Sequence, residues 1–397
     1  HTQAQVQSQT VQSVSSVSSQ RLSHRGLPNM GNTCYINSVV QCLSHVTPWL
    51  NMITSIDRSN FNNSLLNNLK IVLSTVVATN TNTNTVSVKN DNSLVESCDQ
   101  FRNSLAAIFP NDFVIGQQCD ADEFLTKFYE RLESELQHSI GKGKNSNRND
   151  NNNNNNNSGS GNGNDERERE VIPKEFNIFN HSLRTYYACD SAQSHVEYSR
   201  EIDGQFVVND DIGIRYQLNN PASGTGTGKG GSSSTQNRSI QDWLNYATRL
   251  ETNVMRRCGV PNCGSVEATK QVDLTGLLPD VLIFQLNRGL YIPNIGASKD
   301  KTNVDFPIQG LNMKKYSKAH GGGGEGDDSS VYDLLAFCMH SGETMQEGHY
   351  TACATDDNGV TWRHYNDSVV HVINKQNLEE FKLSAYLLFY KKRGVAW

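Results

Sequence analysis

Seven consecutive asparagines, Asn151–Asn157, limit what this chain can fold into more than any other feature. A run without apolar side chains contributes nothing to a core, so it must lie in a loop or outside the fold. Other stretches share its character: Gly141 to about Glu170, which contains the run, Pro221 to Arg238 with its Gly, Ser and Thr, His320 to Ser330 with four successive glycines, and the shorter string Thr79 to Thr85. Residues 1 to 24, mostly Gln, Ser, Thr and Val in no regular spacing, read as a disordered lead-in. The 397 residues could make two or three domains, or one large domain interrupted by insertions. No patterned segment between the runs is long enough to stand alone. The expected organisation is therefore one domain from 25 to 392, with low-complexity insertions at about 141–170, 221–238 and 320–330. Added length at a surface loop costs little, since closure entropy grows only with the logarithm of length.

Charge and composition narrow the partners. Against 41 Asp and Glu stand 35 Lys and Arg, a formal charge of -6, which leaves no basic excess for a phosphate backbone. No stretch approaches the roughly 18 uninterrupted apolar residues that would span a bilayer. Neither nucleic acid nor membrane is an expected partner. The chain opens at His1 rather than Met, as an excised piece would. Nine cysteines spread over this length are unlike the dense even framework of a small secreted domain, and point to an intracellular protein of cytoplasm or nucleus.

Ile36, Val39, Val40 and Leu43 fall at i, i+3, i+4 and i+7, which predicts a helix ending before Pro48, with Thr33 placed to cap it and Cys34 in its first turn. Leu125, Phe128, Tyr129, Leu132 and Leu136 repeat the pattern after Asp120, Asp122 and Glu123, whose charges suit a helix N-terminus. Strand patterns dominate the second half: Val281 to Leu286, Tyr332 to Met339, Tyr350 to Thr355, Val360 to Tyr365 and Ala385 to Tyr390. Helices first and strands later predict an α+β domain with a largely antiparallel sheet.

A cysteine at a helix N-terminus feels unpaired amides that favour the thiolate, although most free cysteines are simply small buried hydrophobes. The Gly- and Asn-rich turn before Cys34, Gly26 to Thr33, suits the donors that an acyl-transfer oxyanion needs. His349 follows Gly348 and opens a strand that runs into Asp356-Asp357-Asn358-Gly359, a hairpin turn pattern. A four-residue loop puts His349 opposite Asn366; a two-residue Asn-Gly loop puts Ser368 there and leaves Asn366 diagonal. Either register gathers a base and a residue able to orient it at one end of a hairpin.

The segment Gly26-Leu27-Pro28-Asn29-Met30-Gly31-Asn32-Thr33-Cys34-Tyr35-Ile36-Asn37 resembles the cysteine box of the ubiquitin-specific proteases. Gly348-His349-Tyr350-Thr351-Ala352, Trp362 to Val370 and Ala385 to Tyr390 resemble its histidine box and closing strand, and Leu278-Pro279-Asp280-Val281-Leu282-Ile283 its internal strand. The resemblance implies a papain-like right hand: a helical thumb over about 25–140, and antiparallel finger and palm sheets over about 171–392. It implies a deubiquitinase cutting after the terminal glycine of ubiquitin, with Cys34 as nucleophile, His349 as general base, Asn366 orienting that His, Asn29 in the oxyanion hole and Asp367 assisting. Gln118, Asp120 and Glu123 match a segment that meets the basic ubiquitin tail; without the resemblance, Asp120 and Glu123 read as complements of the helix dipole. Tyr350 and His340 match positions lining a narrow glycine channel. The implied partners are ubiquitin and ubiquitinated proteins, and the domain is expected to be monomeric. A ubiquitin-binding pseudoprotease is the alternative, disfavoured because every catalytic position is kept.

Many members of that family hold zinc between two Cys-x-x-Cys pairs in the fingers. Here the first pair is reduced to Cys189 with Ala192 at the partner position, and the second is a wider pair, Cys258 and Cys263. Three thiolates leave a tetrahedral site one ligand short, and His195 is wrongly spaced for the motif. The expectation is an eroded site with no metal and no cofactor.

Overall fold

Every side chain of the first helix, α1 (Cys34–Ser44), is buried, polar ones included. The computed structural model describes residues 25–57, 64–77, 92–142, 172–190, 196–198, 200–202, 205–207, 211–213, 216–219, 238–275, 278–292, 296–316, 330–355 and 359–397. The lead-in, the Thr79 to Thr85 string, the asparagine run and most of the other predicted insertions lie outside these. A purely amphipathic stripe would bury only Ile36, Val39, Val40 and Leu43. The helix is enclosed because α5 lies on one side and the large sheet on the other, and its polar side chains satisfy backbone in place of water: Asn37 Nδ2 donates to Leu27 O at 3.2 Å and Gln41 Nε2 to Arg25 O at 2.8 Å.

Four more helices precede the strands. Pro48 stands in the first turn of α2 (Thr47–Ser55), where its missing N–H leaves nothing unpaired. Ser64 caps α3 (Leu65–Val76) by accepting from Asn67 N, and Glu135 accepts from Leu65 N and Leu66 N. Then come α4 (Asn92–Ile108) and α5 (Ala121–Lys142), whose predicted apolar positions Leu125, Phe128, Tyr129, Leu132 and Leu136 are buried. Lys142 carries α5 into the stretch predicted as insertion.

The large sheet orders β18 (Val369–Ile373), β17 (Trp362–Asn366), β16 (His349–Thr355), β15 (Val331–Ser341), β19 (Ala385–Lys392), β10 (Val281–Asn287) and β6 (Tyr216–Asn219), with β14 (Leu311–Asn312) on β15. All its pairings are antiparallel except that of β10 with β6. A second antiparallel sheet joins β1 (His181–Cys189), β2 (Val196–Tyr198), β5 (Asp211–Gly213), β8 (Glu251–Met255) and β9 (Glu267–Thr275). Three short pairs complete the described strands: β3 (Arg200–Ile202) with β4 (Gln205–Val207), β7 (Arg238–Ser239) with β13 (Val304–Asp305), and β11 (Gly289–Ile292) with β12 (Gly296–Lys299). Arg238, predicted as the edge of an insertion, is thus a strand residue.

Two apolar clusters cover opposite faces of the large sheet. One merges α1 to α5 with Val281, Ile283, Ala336 and Cys338; the other gathers Leu282, Phe284, Leu286 and Phe337 with Trp243 of α6 (Ile240–Ala247) and Leu378 of α7 (Leu378–Lys382). A strand buried on both faces has no polar alternation to show, which is why Val281 to Leu286 reads as a nearly continuous apolar run, broken only by the buried Gln285.

Candidate active site

Thr33 precedes α1 but does not cap it: its hydroxyl accepts from Met30 N at 2.9 Å instead. Asn29 braces the turn before the helix, its Oδ1 accepting from Gly31 N and Thr33 N, both at 3.1 Å, while Gly31 and Asn32 turn the chain in the left-handed region at φ 88° and 56°. Cys34 follows, 3% exposed. Burial pushes its thiol above the ordinary value and outweighs the amides of Tyr350, Tyr35 and Cys34 itself that pull it down; the carboxylate of Asp367 adds to the rise. The amides at the helix start pull the thiol down as expected from sequence, but desolvation outweighs them.

The β16–β17 hairpin sets the base. Ala352 faces Tyr365 and Thr355 faces Trp362, the register in which Asn366 is diagonal to His349. Val360, predicted to open the return strand, lies before it and is exposed; Asp356, Asp357 and Asn358 are outside the described residues. His349 Nε2 meets Asn366 Oδ1 at 2.7 Å. An amide oxygen only accepts, so Nε2 carries the proton and Nδ1 is left with the lone pair that a general base needs. Because Asn366 faces Val369, Asp367 and Ser368 form a tight turn, with Asp367 at φ 49°.

That turn ties the palm to the cysteine segment. Asp367 accepts from Asn29 Nδ2 at 2.9 Å and from Asn37 Nδ2 at 2.8 Å, and its carbonyl accepts from Leu27 N at 2.9 Å. A Cβ on Gly26 would stand 2.4 Å from the Asp367 carbonyl, so only glycine lets the two segments approach. Asn37 was not singled out from sequence, although a polar residue one turn after Cys34 on a buried helix was a usable signal.

Gln118 Oε1 accepts from Gly348 N at 3.2 Å, beside His349. Asp120 caps α5, accepting from Asp122 N at 2.8 Å, and both its oxygens accept from Tyr386 Oη at 2.8 Å. Burial lifts the Asp120 carboxyl above its ordinary value despite these donors. Glu123 is exposed and paired with Lys127 at 2.7 Å. His340 and Tyr350 are buried with ring centroids 4.4 Å apart. Among the described residues, no helix is long and apolar enough to cross a membrane.

The sequence profile described as ubiquitin carboxyl-terminal hydrolase matches residues 25–390. The chain belongs to that family. A probable ubiquitin carboxyl-terminal hydrolase 4 of Schizosaccharomyces pombe is 26% identical over 96% of this chain and 60% of its own length. Human ubiquitin carboxyl-terminal hydrolase 3 is 38% identical over 28% of this chain and 20% of its own. The chain thus spans less than two thirds of these curated relatives. A solved structure of the SAGA Ubp8/Sgf11/Sus1/Sgf73 DUB module bound to ubiquitin aldehyde matches at TM-score 0.65 and 22% identity, covering 97% of this chain and 72% of that one. This agrees with the α+β, papain-like right hand expected from sequence.

Family members' finger zinc raises the question of fit here. The sulfurs of Cys189, Cys258 and Cys263 all lie within 4.8 Å of one another, Cys189 and Cys263 at 3.4 Å. Asn262 and Gly264, at φ 64° and 70°, turn the chain around Cys263, whose sulfur meets that of Cys189 at the end of β1. Three sulfurs fit three corners of a tetrahedral zinc site, and no fourth His, Cys, Asp or Glu joins them among the described residues. Ala192 and His195 lie outside these. The cluster lies at one end of the second sheet, where β1 ends and the β8–β9 connection turns.

Proposed function

We propose that this chain is a thiol-dependent deubiquitinase. The observation that supports it best is the His349 Nε2 to Asn366 Oδ1 bond, which presents a basic Nδ1 at the strand whose next residue, Tyr350, directs its amide at Cys34. Cys34 gives its proton to His349 and the sulfur attacks the carbonyl carbon after ubiquitin's last glycine. Collapse of the tetrahedral adduct breaks the C–N bond, and His349 returns the proton to the departing amine. Water, deprotonated by His349, then opens the thioester and restores the thiol. Asn29 has two amide N–H groups, of which Asp367 takes one, so the other serves the oxyanion.

Glu123, exposed and paired only at the surface, is the carboxylate suited to an arginine of the ubiquitin tail. Asp120 is already engaged by the α5 cap and Tyr386, and supports the strand beside the site. Ubiquitin aldehyde in the structural neighbour supports the choice of substrate. The test is reaction with ubiquitin carrying a C-terminal thiol-reactive group. A covalent adduct in the unmutated chain and none in Cys34→Ala is expected. Binding without adduct would make it a ubiquitin-binding pseudoprotease, and neither binding nor adduct overturns the reading.

A further inference from the structure

Residues 342–348 join β15 to β16 and lead directly into His349. The neck of this loop is pinched shut by two glycines. A Cβ on Gly342 would stand 2.2 Å from Glu347 O, and one on Gly348 would stand 2.3 Å from Ser341 O and 2.5 Å from His340 Nε2. Close approach of two backbones brings carbonyls together, and these need a donor.

Lys299, at the end of β12, donates to the two carbonyls that flank Ser341 on the first limb of the neck. Its Nζ lies 2.6 Å from His340 O, 3.4 Å from Gly342 O and 3.0 Å from His340 Nδ1. Those three acceptors match the three hydrogens of an ammonium. On the far side of the neck, Gln118 Oε1 holds Gly348 N. We propose that Lys299 is a positioning residue for catalysis: its ammonium pins the first limb of the 342–348 loop and so fixes where His349 stands relative to Cys34. This rests on the deubiquitinase reading above and adds to it a residue from another strand pair.

The pin sits among other charges. Arg288, 1% exposed, donates to Ala385 O, Asp300 O and Thr302 O; Lys301 pairs with Glu343 of the loop at 2.5 Å; His340 and His349 complete the set. Burial, with Arg288 and Lys301 adding to it, brings Lys299 down to about 8, while burial and Lys299 bring His340 down to about 4, so His340 accepts as a neutral ring. A lowered amine is an ammonium below that value and an amine above it. The pin therefore weakens as pH rises through about 8.

The test uses the whole chain with a ubiquitin carrying a fluorogenic C-terminal amide, from about pH 6 to 10, beside Lys299→Met and Lys299→Arg. Lys299→Met is expected to lose about 10- to 100-fold in kcat with KM within about threefold, the split of a residue that aligns rather than binds. The alkaline limb near pH 8 of the unmutated chain should vanish in Lys299→Met and move upward in Lys299→Arg, which stays charged. Unchanged kcat and profile in Lys299→Met overturn the proposal. If that variant does not fold, an unshifted limb in Lys299→Arg overturns it instead. Hydrogen exchange separates this from the parent reading: the Gly348 and His349 amides should exchange faster in Lys299→Met than in the unmutated chain or, where that variant does not fold, faster in the unmutated chain than in Lys299→Arg above about pH 8, even if no turnover occurs. Lack of turnover in the unmutated chain fails the deubiquitinase reading; unchanged exchange fails the pin.

Discussion

The thiol of Cys34 and the thiols of the second sheet stand in opposite surroundings. Cys34 has amides and an imidazole-bearing strand for neighbours, and burial is the main force keeping its proton on. Cys258 accepts from the Val260 amide, which pulls its thiol down, but burial and the neighbouring Cys263 and Cys189 outweigh that and push it up to about 11. Deprotonating Cys258 is opposed by the other two, and a cation bound among the three sulfurs would reverse this. Deprotonating Cys34 is opposed by desolvation first and by the Asp367 carboxylate second, and favoured by the amides of Tyr350, Tyr35 and Cys34 itself. The same atom thus stands among amides in one place and among other thiols in the other.

The largest expected effect tests the first half of that contrast. Cys34→Ala should lower turnover of a fluorogenic ubiquitin amide by about 10⁴-fold or more while ubiquitin still binds, since the grip is unaltered; residual turnover within tenfold would assign the nucleophile elsewhere. Asn366→Ala should cost about 10- to 100-fold in kcat, because an unheld imidazole samples both tautomers. Asp367→Ala removes the acceptor shared by Asn29 and Asn37, and should lose about 1–3 kcal/mol of stability, measured by denaturant unfolding, along with about tenfold in kcat.

A fourth measurement follows the proton directly. Alkylation of Cys34 by iodoacetamide should rise with pH through an inflection above that of an ordinary cysteine, because the buried neutral form is favoured until hydroxide removes its proton. An inflection below the ordinary value would mean that the helix-end amides win after all. The smallest effect belongs to the trio: Cys263→Ser should leave kcat within about twofold and lower Tm by about 2–4 °C, the shift expected per kcal/mol in a large domain. A large loss of kcat would erase the division between the two thiol sites.

Much of this was legible because local pattern and chemistry coincide. The helix of Cys34 and the hairpin of His349 and Asn366 follow from apolar spacing and a turn composition, and the resemblance named the rest. What escaped depends on long-range approach. Asp367 bonding to Asn29 and Asn37, Gly26 against the Asp367 carbonyl, and Lys299 under the 342–348 neck all join residues distant along the chain. The helix α4 escaped because its apolar positions are sparse, and the return strand opens at Trp362 rather than Val360, in the register of the two-residue Asn-Gly loop. Cys34 charge was misjudged because an N-terminus is visible in sequence and its burial is not.

The last strand of the described fold, β19, is also one of the most central. It lies between β15 and β10, and among the described residues β10 has only β6 on its other side. During synthesis, β15, β16 and the helices would emerge before the strand that joins them to β10. Until Ala385–Lys392 arrives, the sheet is two unconnected halves with exposed edges, a state in which chaperone engagement is expected. The nucleophile is translated early and its platform is completed last, so the nascent chain should stay inert toward ubiquitin until β19 has left the ribosome.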